Sequence, residues 1–317
     1  MEREAEGLSA LFERELMVRS GLLEFATPAQ IGQLVALVRD AVFLQGSVLY
    51  RRGEPADRVF ILMEGRAELA APSGSAWRFG PGAGLGILDA VLNRPYARTA
   101  TAETDVRVLE VKAEDYFDFL QDNIELGETL VTTFATALHK AVLALPEPAL
   151  LLQSMGQSLL AEGERGLSTV ERLLLIRRMR PFQRASVQAQ VSLAQHAREV
   201  RVAAGERLFA EGDRSDVLWM IARGTVDIRR RIPTIEALRA PGDLVEHYAE
   251  LCTGVRQFTA TARTDAVLLQ LEREELLDRM EEHFDLVRSL LAFLAGEREK
   301  LNEALVADRR SLLLSRG

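Results

Sequence analysis

The chain has 317 residues, enough for two domains with separate cores. Its 39 lysines and arginines against 47 aspartates and glutamates leave a formal net charge of −8, which argues against coating nucleic acid by phosphate neutralisation. Apolar residues at 48% and charged residues at 27% are typical of folded soluble proteins, while a single cysteine, Cys252, excludes an internal disulfide or a cysteine-built zinc cage and fits a reducing, cytoplasmic setting.

The acidic start, Met-Glu-Arg-Glu-Ala-Glu-Gly, lacks a basic stretch followed by an apolar one, so no secretory signal is expected. Apolar runs such as Leu290 to Ala295 fall far short of the ~20 residues a bilayer span requires. The first element signal is Thr27-Pro28-Ala29-Gln30, a capping box with proline at the first helical position. From residue 43 onward, short runs of Val, Ile, Leu and aromatic residues broken by glycine predict short antiparallel strands in a small sandwich or barrel. Val59 to Met63 followed by Glu64-Gly65-Arg66 reads as a strand entering a tight hairpin. Residues 113 to 145 space Phe117, Leu120, Ile124, Leu130, Phe134, Leu138 and Val142 roughly at helical intervals. Pro146-Glu147-Pro148 ends that pattern, and Gly163 and Gly166 loosen the stretch before the next helix, which places a domain boundary near residues 146 to 166. Ser168-Thr169-Val170-Glu171 is a second capping box, leading through Leu173 to Ile176 to Pro181-Phe182, the expected counterpart of Gly21 to Leu23. The strand grammar then returns, with Val217 to Ile221 before Arg223-Gly224-Thr225, and residues 274 to 313 close the chain with another helical pattern.

The second half restates the first. Gly46 and Gly205, Gly53 and Gly212, Asp57 and Asp216, and Gly65 and Gly224 are each 159 positions apart. After a one-residue slip the register is 160, pairing Pro81-Gly82 with Pro241-Gly242 and Thr99-Ala100-Thr101-Ala102 with Thr259-Ala260-Thr261-Ala262. This glycine framework, with its Pro-Gly turn into a short helix, resembles the cyclic nucleotide-binding domain in the tandem arrangement of kinase regulatory subunits. The resemblance implies an α+β fold: two jelly-roll-like β-rolls flanked by helices, over residues 1–145 and 175–317, joined by a helical linker at 146–174. It further implies a non-enzymatic regulatory protein that senses a cyclic nucleotide, cyclic AMP or cyclic GMP, and signals to a partner protein.

In that family a cassette of the form Gly-Glu-Leu-Ala, a short helix and Pro-Arg-x-Ala-Thr holds the nucleotide. Helix-start amides and the arginine take the phosphate, and the glutamate takes a ribose hydroxyl. The first unit keeps Gly86, Pro95 and Thr99 but has Ile87 in place of the glutamate and Tyr96 in place of the arginine, leaving Arg98 as a displaced candidate clamp. The second unit keeps Arg256 and Thr259 but has Glu246 in place of the glycine and His247 in place of the glutamate. A carboxylate at Glu246 opposes phosphate. The candidate ligand residues are therefore Arg256, Thr259, His247, Arg98, Gly86 and Thr99, with the second unit favoured. Two alternatives stand beside that set: Arg256 pairs internally with Glu246 or Glu250, and the protein is a scaffold or interaction module whose pockets no longer take nucleotide.

Other candidates are weaker. Gly80 to Gly86 fails the spacing of both the dinucleotide and the phosphate-loop motifs. His139, His196, His247 and His283 have no carboxylate or serine at motif spacing, so neither a catalytic residue nor a metal ligand is expected, and each reads as a satisfied or solvated histidine. Arg229-Arg230-Arg231 reads as a solvated hairpin tip. The last residues form one amphipathic helix, Leu286 to Leu314, with no second helix to enter a DNA groove, so no nucleic-acid partner is expected. Leu150 to Leu152 and Leu312 to Leu314 leave a partner protein or a homo-oligomer, through the terminal helices, as the alternative to packing on their own domain.

Overall fold

The computed structural model describes residues 26–70, 76–144, 165–252 and 254–314, with the side chains of 247, 248 and 302–314 not among those described. The predicted Thr27–Gln30 capping box forms reciprocally and opens α1, Pro28–Leu37. Eight strands follow: β1 (Arg39–Phe43), β2 (Val48–Tyr50), β3 (Arg58–Glu64), β4 (Ala67–Ala70), β5 (Ala76–Phe79), β6 (Gly84–Leu85), β7 (Thr99–Ala102) and β8 (Val106–Lys112), with the short helix α2 (Ile87–Val91) between β6 and β7. They pair antiparallel in two sheets of order β1-β8-β3-β6 and β2-β7-β4-β5. Phe60, Leu62, Leu69, Leu85 and Val108 fill the interior between them. Along β7 burial alternates, as expected when one strand face lines a core; β3 is buried at its five central residues and so is covered on both faces.

The helical pattern predicted over 113–145 is broken once, at Asn123, whose φ of −128° and ψ of 61° separate α3 (Ala113–Asp122) from α4 (Ile124–Leu143). The second capping box, Ser168–Glu171, also forms and starts α5 (Thr169–Arg178), followed by α6 (Val187–His196). The second roll contains β9 (Arg198–Val202), β10 (Arg207–Phe209), β11 (Val217–Arg223), β12 (Val226–Arg230), β13 (Ile235–Arg239), β14 (Thr259–Ala262) and β15 (Ala266–Glu272), in sheets β11-β15-β9 and β10-β14-β12-β13. Helices α7 (Arg273–Glu282) and α8 (Phe284–Leu314) come next, divided at His283 as α3 and α4 are divided at Asn123. The counterpart of β6 is reduced to one bridge, Met220 with Leu244.

The repeat extends to individual hydrogen bonds. Thr99 Oγ1 accepts from the Arg52 amide at 3.1 Å and Thr259 Oγ1 from the Glu211 amide at 3.0 Å. Asp105 accepts from the Gln45 amide and Asp265 from the Ala204 amide, both at 2.8 Å. At the hairpin glycines a Cβ has no room: it would lie 2.1 Å from the Asp105 carbonyl at Gly65 and 2.3 Å from the Asp265 carbonyl at Gly224, and both φ angles are left-handed.

The chain divides into two compact units between Thr129 and Leu130, inside α4. The expected boundary near residues 146 to 166 falls largely outside the described residues, as does the Leu150 to Leu152 stretch. In the second unit, Val131, Ala135, Leu138 and Val142 form the buried stripe of α4 at intervals of three and four. Thr132 Oγ1 accepts from Arg273 at 3.3 Å, and His139 meets the Phe258 ring edge-on at 5.9 Å.

Candidate ligand-binding cassettes

In the first unit, the chain enters α2 through Gly86 with φ of 82°. A Cβ at that position would lie 2.9 Å from the Arg58 carbonyl oxygen and 3.0 Å from Tyr96 Cε1, so the space over this glycine already holds Tyr96. The Tyr96 ring, 3% exposed, stacks on Tyr50 at 3.9 Å and 19°, and its hydroxyl donates to the Arg58 carbonyl at 2.6 Å. Burial pushes the Tyr96 hydroxyl up to about 12 and, with Asp89 nearby, raises that of Tyr50 further, so both rings stay neutral. Asp89 is itself buried within the cassette, accepting from Arg94 Nε at 2.7 Å and the Ala97 amide at 3.1 Å. An aromatic stack and a carboxylate thus occupy a site where an anion would need donors. Arg98 is half-buried, with its guanidinium 3.6 Å over the Trp77 ring. Thr99 faces the Arg52 loop.

In the second unit, the Glu246 turn leads into a short 3-10 helix, His247–Leu251. Arg256 is 3% exposed and lies 4.2 Å over the Phe209 ring. Its Nη1 donates to Glu246 Oε2 at 2.9 Å and lies 3.7 Å from Glu250 Oε1, and its Nη2 donates to the Val217 carbonyl. The other oxygen of Glu246 accepts from the amides of Gln257, at 2.8 Å, and Phe258, at 3.1 Å. Glu250 Oε2 accepts from the Trp219 amide at 3.0 Å. Both carboxylates are 1% exposed. The internal pairing that the sequence left open is therefore made, and Glu246 receives the guanidinium and two loop amides that an anion would otherwise take. Burial raises the Glu250 carboxyl, with Glu246 adding to the effect, to about 8. Arg273 ties down the end of the 3-10 helix by donating to the carbonyls of Glu250, Leu251 and Cys252. Thr259 faces the Glu211 loop. Only the backbone of His247 is described, at the first residue of the 3-10 helix.

The candidate residues thus separate: Gly86 and Arg256 lie inside cassettes, Thr99 and Thr259 secure the preceding loops, and Arg98 stacks on Trp77. Two contributors missed from sequence are Tyr50 and Phe209, the ring partners of Tyr96 and Arg256. They stand 159 positions apart, so an aromatic at both repeat-equivalent sites was the available sign. His139, beside Phe258, is 5% exposed rather than solvated, and burial and the Arg230 charge lower it to about 4. The triple-arginine tip is solvated at Arg229 and Arg231, whereas Arg230 turns inward to donate to the Gln257 side-chain oxygen at 3.0 Å. Among the described residues no cluster of histidine, cysteine and carboxylates could hold a metal ion, and no helix is long and apolar enough to cross a membrane.

The cyclic nucleotide-binding domain pattern matches residues 41–123 and again 199–283, together more than half of the chain. The chain is 26% identical over 131 residues to a CRP-like cAMP-activated global transcriptional regulator of Mycobacterium tuberculosis, covering 40% of this chain and 58% of that protein. It is 29% identical over 114 residues to a cyclic nucleotide-gated potassium channel of Mesorhizobium japonicum, covering 36% of this chain and 32% of that one. Among solved structures, the regulatory domain of Toxoplasma gondii protein kinase A with cAMP covers 91% of this chain and 97% of its own at 15% identity and a TM-score of 0.35. The N-terminal domain of a Streptomyces coelicolor transcriptional regulator covers 39% of this chain and 90% of its own at 26% identity and a TM-score of 0.34. With two β-rolls of matching strand order and the family pattern matched in each, the chain belongs to the cyclic nucleotide-binding domain family and carries that domain twice.

Proposed function

We propose that the protein is a non-enzymatic regulatory module in which both phosphate cradles are filled by the chain's own side chains, and which acts by binding a partner protein rather than by answering cyclic AMP or cyclic GMP. The observation that carries this reading is the Arg256–Glu246 pair, 2.9 Å apart and 3% and 1% exposed. A cyclic phosphate would have to displace a carboxylate already holding the arginine and two amides, and would leave that carboxylate buried without donors. In the first unit the Tyr96–Tyr50 stack supports the same conclusion. Calorimetry with cyclic AMP and cyclic GMP is expected to show no heat of binding. Micromolar binding that Arg256→Ala abolishes would overturn the proposal. Glu246→Gly, which restores the family glycine and removes the arginine's nearest carboxylate, is expected to gain binding.

A second reading is favoured by one feature. Arg256 occupies the family arginine position within the cassette, so a cyclic nucleotide could replace Glu246 there, with His247 and Thr259 as the further candidates in the second unit and Gly86, Arg98 and Thr99 as a weaker set in the first. Under that reading Arg98→Ala affects binding less than Arg256→Ala.

A further inference from the structure

The second cassette buries two carboxylates against one guanidinium. Glu246 and Glu250 lie 2.9 and 3.7 Å from the same Arg256 Nη1, all three residues are at least nine-tenths buried, and they come from separate segments: the turn before the 3-10 helix, its last full turn, and the loop after it. With both acids ionised the cluster carries a net negative charge out of reach of water, which is costly unless a proton is bound. Burial raises both carboxyls, and the donors decide which of the two holds the proton. Glu246 has the close guanidinium and two loop amides, whereas Glu250 has the Trp219 amide at 3.0 Å and longer approaches to the Glu246 amide, at 3.4 Å, and to Arg256. Of the described groups nearby, Arg273 donates to main-chain carbonyls and to Thr132, and Cys252 stays a neutral thiol because burial raises it to about 11.

We propose that the second cassette is proton-gated: Glu250 carries a proton beside the Glu246–Arg256 pair, and losing it sets two carboxylates against one guanidinium and loosens the 3-10 helix from β11 and from α4. The contacts at stake are Trp219 to Glu250 on β11, and Arg273 to Thr132 together with Phe258 to His139 on α4. The proton thereby takes the place of the family ligand as the species that sets cassette and helix together. This inference rests on the self-filled second cassette, not on the absence of nucleotide binding.

The raised value of about 8 for Glu250 sets the window. The native state holds a proton that the unfolded chain releases near 4.5, so this contribution is fully present below the unfolded value and is lost as pH rises toward 8. In the full chain, infrared spectroscopy in heavy water at about pH 6.5 is expected to show a protonated-carboxyl band that disappears by about pH 9.5. Hydrogen exchange at Trp219, Gln257 and Phe258, corrected for intrinsic rate, is expected to speed up at least about tenfold over the same range. Glu250→Gln, which mimics the protonated acid, is expected to remove both the band and the acceleration. Absence of the band in the unaltered protein overturns the proposal whether or not the variant folds, as does equal acceleration in a folded Glu250→Gln. Nucleotide calorimetry at one pH is independent of these readouts, so failure of one proposal is distinguishable from failure of the other.

Discussion

Arg256 shows how one side chain's meaning depends on its neighbours. At the same sequence position an arginine holds a phosphate or closes an internal pair, and here Glu246 makes the difference. Arg256→Ala leaves Glu246 buried without its main donor, so a loss of about 3–5 kcal/mol is expected from urea unfolding, whereas the joint change Arg256→Met with Glu246→Leu is expected to lose less because no charge is stranded. Tyr96 plays the corresponding part in the first unit. Tyr96→Ala empties the stack against Tyr50 and is expected to cost about 3–5 kcal/mol by the same measurement. At Gly65 the obstacle is backbone: the left-handed φ and the Asp105 carbonyl 2.1 Å from any Cβ make Gly65→Ala lose about 2 kcal/mol or more.

Among the elements, α4 makes the least expected contribution. Its pattern reads as the closing helix of the first unit, yet from Leu130 onward it lies within the second compact unit, with Leu138 and His139 buried. His139 is held neutral by burial and by Arg230, its folded value near 4 lying below the ordinary 6.5. The unfolded chain then binds the extra proton between those values, so stability falls as pH drops through that window. His139→Leu removes the titration, and its denaturation midpoint is expected to change less than that of the unaltered protein between about pH 7 and 5. The helix starts were legible as sequence: both capping boxes form as read, because a cap requires only residues three apart. At α6 the Ser186 hydroxyl accepts from the Ala189 amide at 3.2 Å, and Ser186→Ala is expected to cost about 1 kcal/mol.

For the whole molecule, duplication organises everything else. Strands, positive-φ glycines and loop-securing threonines and aspartates recur at a separation of 159 and, past the slip, 160, so the architecture of either roll is readable from the other. The pocket chemistry diverged while that frame stayed. Tyr96 and Arg256 are equivalent positions with opposite character, each matched by its own ring, Tyr50 or Phe209. If residues 130–143 belong to the second unit, a fragment beginning at Leu130 is expected to unfold in one cooperative transition at higher temperature than one beginning at Arg165.

Sequence alone determined the repeat, the β-roll grammar, the caps and the loss of the family's polar pattern, since each rests on local spacing or on a turn that tolerates few residues. It left open whether Arg256 meets an anion or a neighbour, and it offered no sign that Tyr96 covers Gly86. Those outcomes depend on residues 10 to 46 positions apart meeting when the sheets close, and on which of several donors reaches a buried carboxylate first. Only the packed tertiary structure decided them, because burial turns a surplus carboxylate from a solvated surface charge into a group that must find an arginine or a proton.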